Sequence, residues 1–193
     1  MKKDRSILIS FILLVLMASL YKVMPNRPWG FAPQIAMALF AGSVIKDKKL
    51  AFLLPLFSML VSDVIYEVLF WYKISPIPGF YDGQITNYIL FGALTVIGFW
   101  IKKSNALHII AGSLVGAVAY FVLSNFVVWV GGGLDINSMP YPKTMSGLMI
   151  CYTAALPFFK NSLYATFFFN AILFGGYFII NKLVVQKPAL VKA

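Results

Sequence analysis

The chain has 193 residues, 61% of them hydrophobic and 11% charged, with a mean hydropathy of +0.85; a soluble domain carries roughly 25% charged residues, so it reads as an integral membrane protein. Its formal charge of +10 is spread as short lysine clusters between apolar runs, which marks membrane topology and argues against a nucleic-acid surface. A single cysteine, Cys151, and a single histidine, His108, exclude an intrachain disulfide, a thiolate cluster and a multi-histidine metal site.

The first apolar run, residues 7–24, follows "MKKDR" and ends without a strong cleavage site, so a retained first span is expected, with a processed signal as the other reading. The second, 31–45, is short for a span. It carries Pro33 at its start and a small-residue face of Ala32 and Ala36, then Ala38 and Gly42, each pair four apart. Such a face allows close approach to a neighbouring helix or to a separate membrane subunit.

The third run, 50–72, contains Pro55 near its start and the segment "LVSDVIYEVLFWY". Asp63 and Glu67 are four residues apart and so share a helix face, about 6 Å apart along the axis. A carboxylate at mid-bilayer costs about 2.5–3.5 kcal/mol, so these side chains should turn to a partner or to water. An ion pair that fixes helix packing and contact with a ligand or ion are both open readings. Arg27 is the expected partner by depth, able to clamp a carboxylate of the protein or of an anionic ligand.

The fourth run, 84–101, has Asn87 in its first turn. The fifth, 106–130, carries Gly112 and Gly116 at helix-packing spacing and, near its other end, Asn125 and Trp129 as a second pair four apart. An amide beside an indole suits a flat ligand, although Trp129 alone also suits a membrane-interface belt. "VGGGLDINSMPYP" at 130–142 is expected as an outer loop, 144–159 as an outer-surface or re-entrant segment, and 161–181 as the last span, with Asn170 near its middle.

With the N-terminus inside, six spans leave eleven Lys and Arg on the inner side and five on the outer. The expectation is an all-α, polytopic, single integral membrane domain over residues 1–193, with six transmembrane helices and both termini cytoplasmic. At that topology Arg27, Asp63, Glu67, Asn87, Asn125 and Trp129 lie toward the outer half, which suggests a polar and aromatic cavity open outward. No Walker loop, dinucleotide fingerprint, HExxH or GxSxG is present, and no cofactor, metal or enzymatic activity is expected.

"FAPQIAMALFAG", "KKLAFLLPLFSMLVSDVIYEVLF", "LSNFVVWV" and "MPYPKTMSGLMICYTAALPFFKNSLYATFFFNAILFG" resemble an uncharacterised bacterial membrane-protein family, common in Bacteroidetes, whose members look like the substrate-capture subunits of energy-coupling factor transporters. The resemblance covers about residues 25–180. It implies a six-helix fold in the bacterial cytoplasmic membrane, an outward-facing site for a vitamin or related micronutrient, and partners in a transmembrane coupling subunit with ATP-binding subunits. The implied lid is the connection from Pro25 to Phe31, including Pro28, Trp29 and Gly30. The implied cavity lies near Asn125, Trp129 and the outer end of the last span. The AxxxA coupling motif expected on the first helix is missing from "ILISFILLVLMASLY" and the alanines sit on the second. Capture of a small molecule for uptake is the leading function; a structural or accessory membrane protein, an ion-coupled secondary carrier and a membrane enzyme are the alternatives.

Overall fold

A computed structural model describes residues 2–185, with side chains over residues 11–182. The tail lysines Lys187 and Lys192, counted on the inner side, lie outside the described residues. Six helices follow in order: α1 (Lys2–Val23), α2 (Gln34–Val44), α3 (Lys48–Trp71), α4 (Gln84–Gly98), α5 (Ala106–Val130) and α6 (Met145–Val185).

The helix starts follow from local chemistry. Asp47 caps α3 by accepting the Lys49 and Leu50 backbone N–H groups at 2.8 and 3.2 Å, and Asn105 caps α5 through Leu107 and His108 at 2.9 and 3.3 Å. Pro33 precedes α2, where its missing N–H leaves no intrahelical bond unmade. Gly83 opens α4 at φ +85°, a left-handed conformation that a glycine adopts without strain.

Among the described residues three helices, α3, α5 and α6, are long and apolar enough to cross a membrane. Their outward faces carry large exposed apolar side chains, among them Leu53, Phe57, Leu114, Phe168 and Ile172, the arrangement expected where lipid replaces water as solvent. α2 has 11 residues and α4 has 15, about 16 and 22 Å of helix, against a hydrocarbon core of about 30 Å.

α2 is the axis of the bundle. Nine of its eleven residues, Gln34 to Gly42, are buried, and α3, α4, α5 and α6 all pack on it. The small-residue face expected to meet a neighbour or a separate subunit is therefore turned inward: Ala36, Ala38 and Ala41 are fully enclosed. A Cβ on Gly42 would overlap the Thr95 carbonyl and lie 2.9 Å from the Gly98 Cα. Here α2 and α4 touch backbone to backbone. Gly112 and Gly116 admit side chains, Ile101 and Leu39 respectively, rather than another helix backbone.

Small hydroxyl residues complete the interior. Ser58, Ser62, Thr95, Ser113 and Thr166 are buried, and each donates to a carbonyl three or four residues back in its own helix. Their polar groups are thus satisfied while the helices close tightly. Ser19 also bonds the Ser58 carbonyl at 2.8 Å, tying α1 to α3.

Of the two forms expected for 144–159, an outer-surface or a re-entrant segment, helical continuity speaks against the second. The segment belongs to α6, which runs 41 residues without interruption through Pro157. A re-entrant segment must break and reverse; the chain here does neither, because residues 145–156 keep helical backbone and feed directly into the last apolar run. At about 61 Å, α6 is twice the thickness of a hydrocarbon core.

Candidate functional site

Two polar constellations form where one was expected. The first surrounds Asp63, which is buried on α3. Its Oδ1 accepts from Lys22 Nζ at 2.8 Å, and its Oδ2 accepts from Gln84 Nε2 and the Tyr88 hydroxyl, both at 2.7 Å. Lys22 stands in the last turn of α1, whereas Gln84 and Tyr88 are one turn apart on α4.

The Lys22 carbonyl in turn accepts from the Tyr66 hydroxyl at 2.9 Å and from Arg27 Nε at 3.2 Å. Asp63 thus clasps α1, α3 and α4 together. Its charge is answered by Lys22, not by the expected Arg27, whose guanidinium braces its own loop by donating to the Phe31 carbonyl at 2.7 Å.

Glu67, one turn along α3, closes the α3–α4 loop. Its Oε2 accepts the Gly79 and Phe80 backbone N–H groups at 3.0 and 3.2 Å. Gly79 lies so close to α3 that a Cβ would overlap the Asp63 carbonyl. The acidic pair is thus engaged by the protein itself.

The second constellation is a cavity of about 350 Å³ between α5, α6 and the loop from α1 to α2. Trp29 and Gly30 of the loop form one edge. From α5 come Ala117, Tyr120, Phe121, Ser124 and Asn125, and from α6 Ala155, Phe158, Phe159 and Ser162. The volume falls in the range of small-molecule sites, as does the mix of aromatic wall and sparse polar groups.

The loop is fastened across this cavity by side chains distant in sequence. Asn161 Nδ2 donates to the Trp29 carbonyl at 2.8 Å, and Ser162 Oγ donates to the Gly30 carbonyl at 2.9 Å. Gly30 has φ +81°, and a Cβ there would stand 2.6 Å from the Phe158 carbonyl oxygen; glycine is required by conformation and by space. Pro28 is exposed, with its carbonyl accepting the Phe31 N–H at 3.0 Å in the turn that carries Trp29.

Of the residues expected to share a chamber, only Asn125 lines this cavity, together with Trp29 and Gly30 of the expected lid. Asp63 and Glu67 do not line it, so the acidic pair and Asn125 serve separate places. Asn87 lies between them: its Nδ2 donates to the Tyr81 hydroxyl at 2.6 Å and its Oδ1 accepts from Tyr120, a cavity-wall residue, at 3.2 Å. Adjacent positions on a helix point about 100° apart, which is how Asn87 serves the cavity wall while Tyr88 serves the clasp.

Trp129 belongs to neither. Its Nε1 donates to the Pro142 carbonyl at 2.8 Å, and Lys143 Nζ donates to the Trp129 and Val130 carbonyls. The indole pins the 131–144 loop to the end of α5. Within that loop Asp135 accepts the Asn137 and Met139 N–H groups, and the Met139 bond above all holds its carboxyl below the usual aspartate range.

Several functional groups had weak sequence signals. Lys22 ends the first apolar run and Gln84 begins the fourth, so depth admits both as partners of Asp63 beside Arg27 without choosing among them. Asn161 and Ser162 carried no pattern that set them apart. Gln34 is buried with neither side-chain amide atom bonded among the described residues. Asn170 donates to Ser113 Oγ at 2.7 Å across α5 and α6.

Among the described residues no group of three or more metal-ligating side chains occurs. No curated protein and no solved structure matches the chain. Residues 2–190 match the family of unknown function DUF6580, and the chain belongs to that family.

Proposed function

We propose that this protein is a multi-pass membrane subunit that captures a small molecule in the α5–α6 cavity, beneath the loop carrying Trp29 and Gly30. The observation that carries the reading is the loop's attachment: two side chains of α6 hold two successive carbonyls of a left-handed glycine turn at the cavity edge. Such a cover, held by two hydrogen bonds, can open at modest cost.

Charge distribution supports a six-span topology with the cavity toward the outside and both termini in the cytoplasm of a bacterial cell. The sequence resemblance supports uptake of a micronutrient together with a coupling subunit and ATP-binding subunits. With the alanines of α2 enclosed, such a subunit would dock on another face. The engagement of Asp63 and Glu67 within the protein favours, as the second reading, a structural or accessory role without ligand, and argues against ion coupling through these carboxylates.

The test is chemical analysis of small molecules released on denaturing the purified protein, compared with Ala155→Trp, which fills the cavity from a half-buried position. Stoichiometric release from the natural protein and none from a folded Ala155→Trp protein is expected. Equal release from both, or from neither, refutes capture at this site.

A further inference from the structure

The cavity wall contains no charged side chain among the described residues. Arg27 is committed to loop carbonyls, Asp63 to Lys22, Glu67 to the α3–α4 loop and Lys143 to the end of α5, while the exposed Lys160, next to Phe159, stands over the Tyr164 ring and does not line the cavity. A charged ligand entering this site would shed water without a counter-ion, a penalty that aromatic walls do not repay.

The wall's polar groups are also largely spoken for. Ser162 donates to Gly30, Tyr120 to Asn87, and Asn125 Nδ2 to the Phe121 carbonyl at 2.8 Å. What Asn125 keeps is its Oδ1, which has no donor among the described residues. A ligand bound there needs a donor to meet it. Phe121 and Phe159 pack on each other, with ring centroids 4.5 Å apart and 34° between planes, and give the wall aromatic surface.

From these features, and resting on the capture reading above, we infer that the ligand is an uncharged planar heterocycle that donates an N–H to Asn125 Oδ1. A metal chelate, a zwitterion or an organic cation is the wrong class.

Four probes sharing the indole ring decide this on the full chain in nanodiscs, by equilibrium dialysis with empty nanodiscs subtracted. They are indole (neutral donor), 1-methylindole (neutral, no donor), tryptamine (cation) and indole-3-carboxylate (anion). Indole is expected to bind at least about tenfold more tightly than 1-methylindole, the worth of one hydrogen bond, and the two ions not to bind measurably. Asn125→Leu should equalise indole and 1-methylindole, a loss of discrimination that a merely structural role would not produce. Ala155→Trp should abolish binding of both neutral probes.

Tighter binding of either ion, equal binding of the two neutral probes to the natural protein, or binding of none overturns the inference. If the molecule released from the purified protein is itself charged, capture stands and this assignment of ligand class falls. If nothing is released and no probe binds, both fall.

Discussion

Replacing Lys22 by methionine keeps the aliphatic stem and removes the charge that faces Asp63. The Asp63 side chain is 4% exposed and that of Lys22 is 21% exposed. Removing one partner from a buried pair costs about 3–5 kcal/mol; the partial exposure of Lys22 lowers the expected cost to about 2–4 kcal/mol. Asp63→Asn keeps the shape and some hydrogen bonding to Gln84 and Tyr88, but strands the ammonium, which is nearer water, so a smaller loss of about 1–3 kcal/mol is expected. In Lys22→Met/Asp63→Asn neither charge is stranded. The double variant should therefore be more stable than the sum of the single losses by about 1–3 kcal/mol. Equilibrium unfolding in mixed detergent micelles measures all four proteins. Single losses below about 1 kcal/mol, or strict additivity, would refute the clasp and return Asp63 to the pool of ligand contacts.

Other consequences can be checked in the same assay. Gly42→Ala forces α2 from α4 and should cost about 1–3 kcal/mol or more, while Gly92→Ala, where a Cβ meets nothing within 4 Å, should be neutral or stabilise by up to about 1 kcal/mol; equal effects would contradict the backbone contact. Gln34→Met removes a buried amide that has no hydrogen-bond partner among the described residues and should stabilise by about 1–3 kcal/mol; a loss of that size would show that the amide has a partner. Asp135, with its folded carboxyl depressed by the Met139 and Asn137 N–H groups, contributes loop stability that is present above the unfolded carboxyl's range and lost as pH falls through the folded value. Amide exchange of Met139, corrected for intrinsic rate, should therefore lose protection on acidification, and Asp135→Asn should flatten that dependence.

The long elements were legible because extended apolar runs announce them. The 106–130 run became α5 with the same bounds, and Asp47 and Asn105 stand where caps belong. Residues 144–159 were set apart from the last span between Lys143 and Lys160, yet the helix continues through Pro157, since a proline within a long helix removes only one donor and the flanking turns carry it through. The acidic pair was rightly expected to need partners, but depth alone could not choose between Arg27 and Lys22. That choice depends on where α1 ends, and Arg27 is drawn into the turn that it braces. The α2 alanines left a neighbouring helix and a separate subunit both open, because a small-residue stripe looks the same whether it meets another subunit or a helix of its own bundle. Asn125 was legible as a polar group in an apolar helix, whereas the fastening of Trp29 and Gly30 to Asn161 and Ser162 joins positions 132 residues apart and leaves no local trace.

A density map of the protein purified from its native membrane tests the central claim most directly. The account predicts a flat feature between the Trp29–Gly30 turn and the aromatic wall of α5 and α6, within hydrogen-bond reach of Asn125. A cavity collapsed onto Phe121 and Phe159, or a bound molecule seated at Asp63 in place of Lys22, would contradict it.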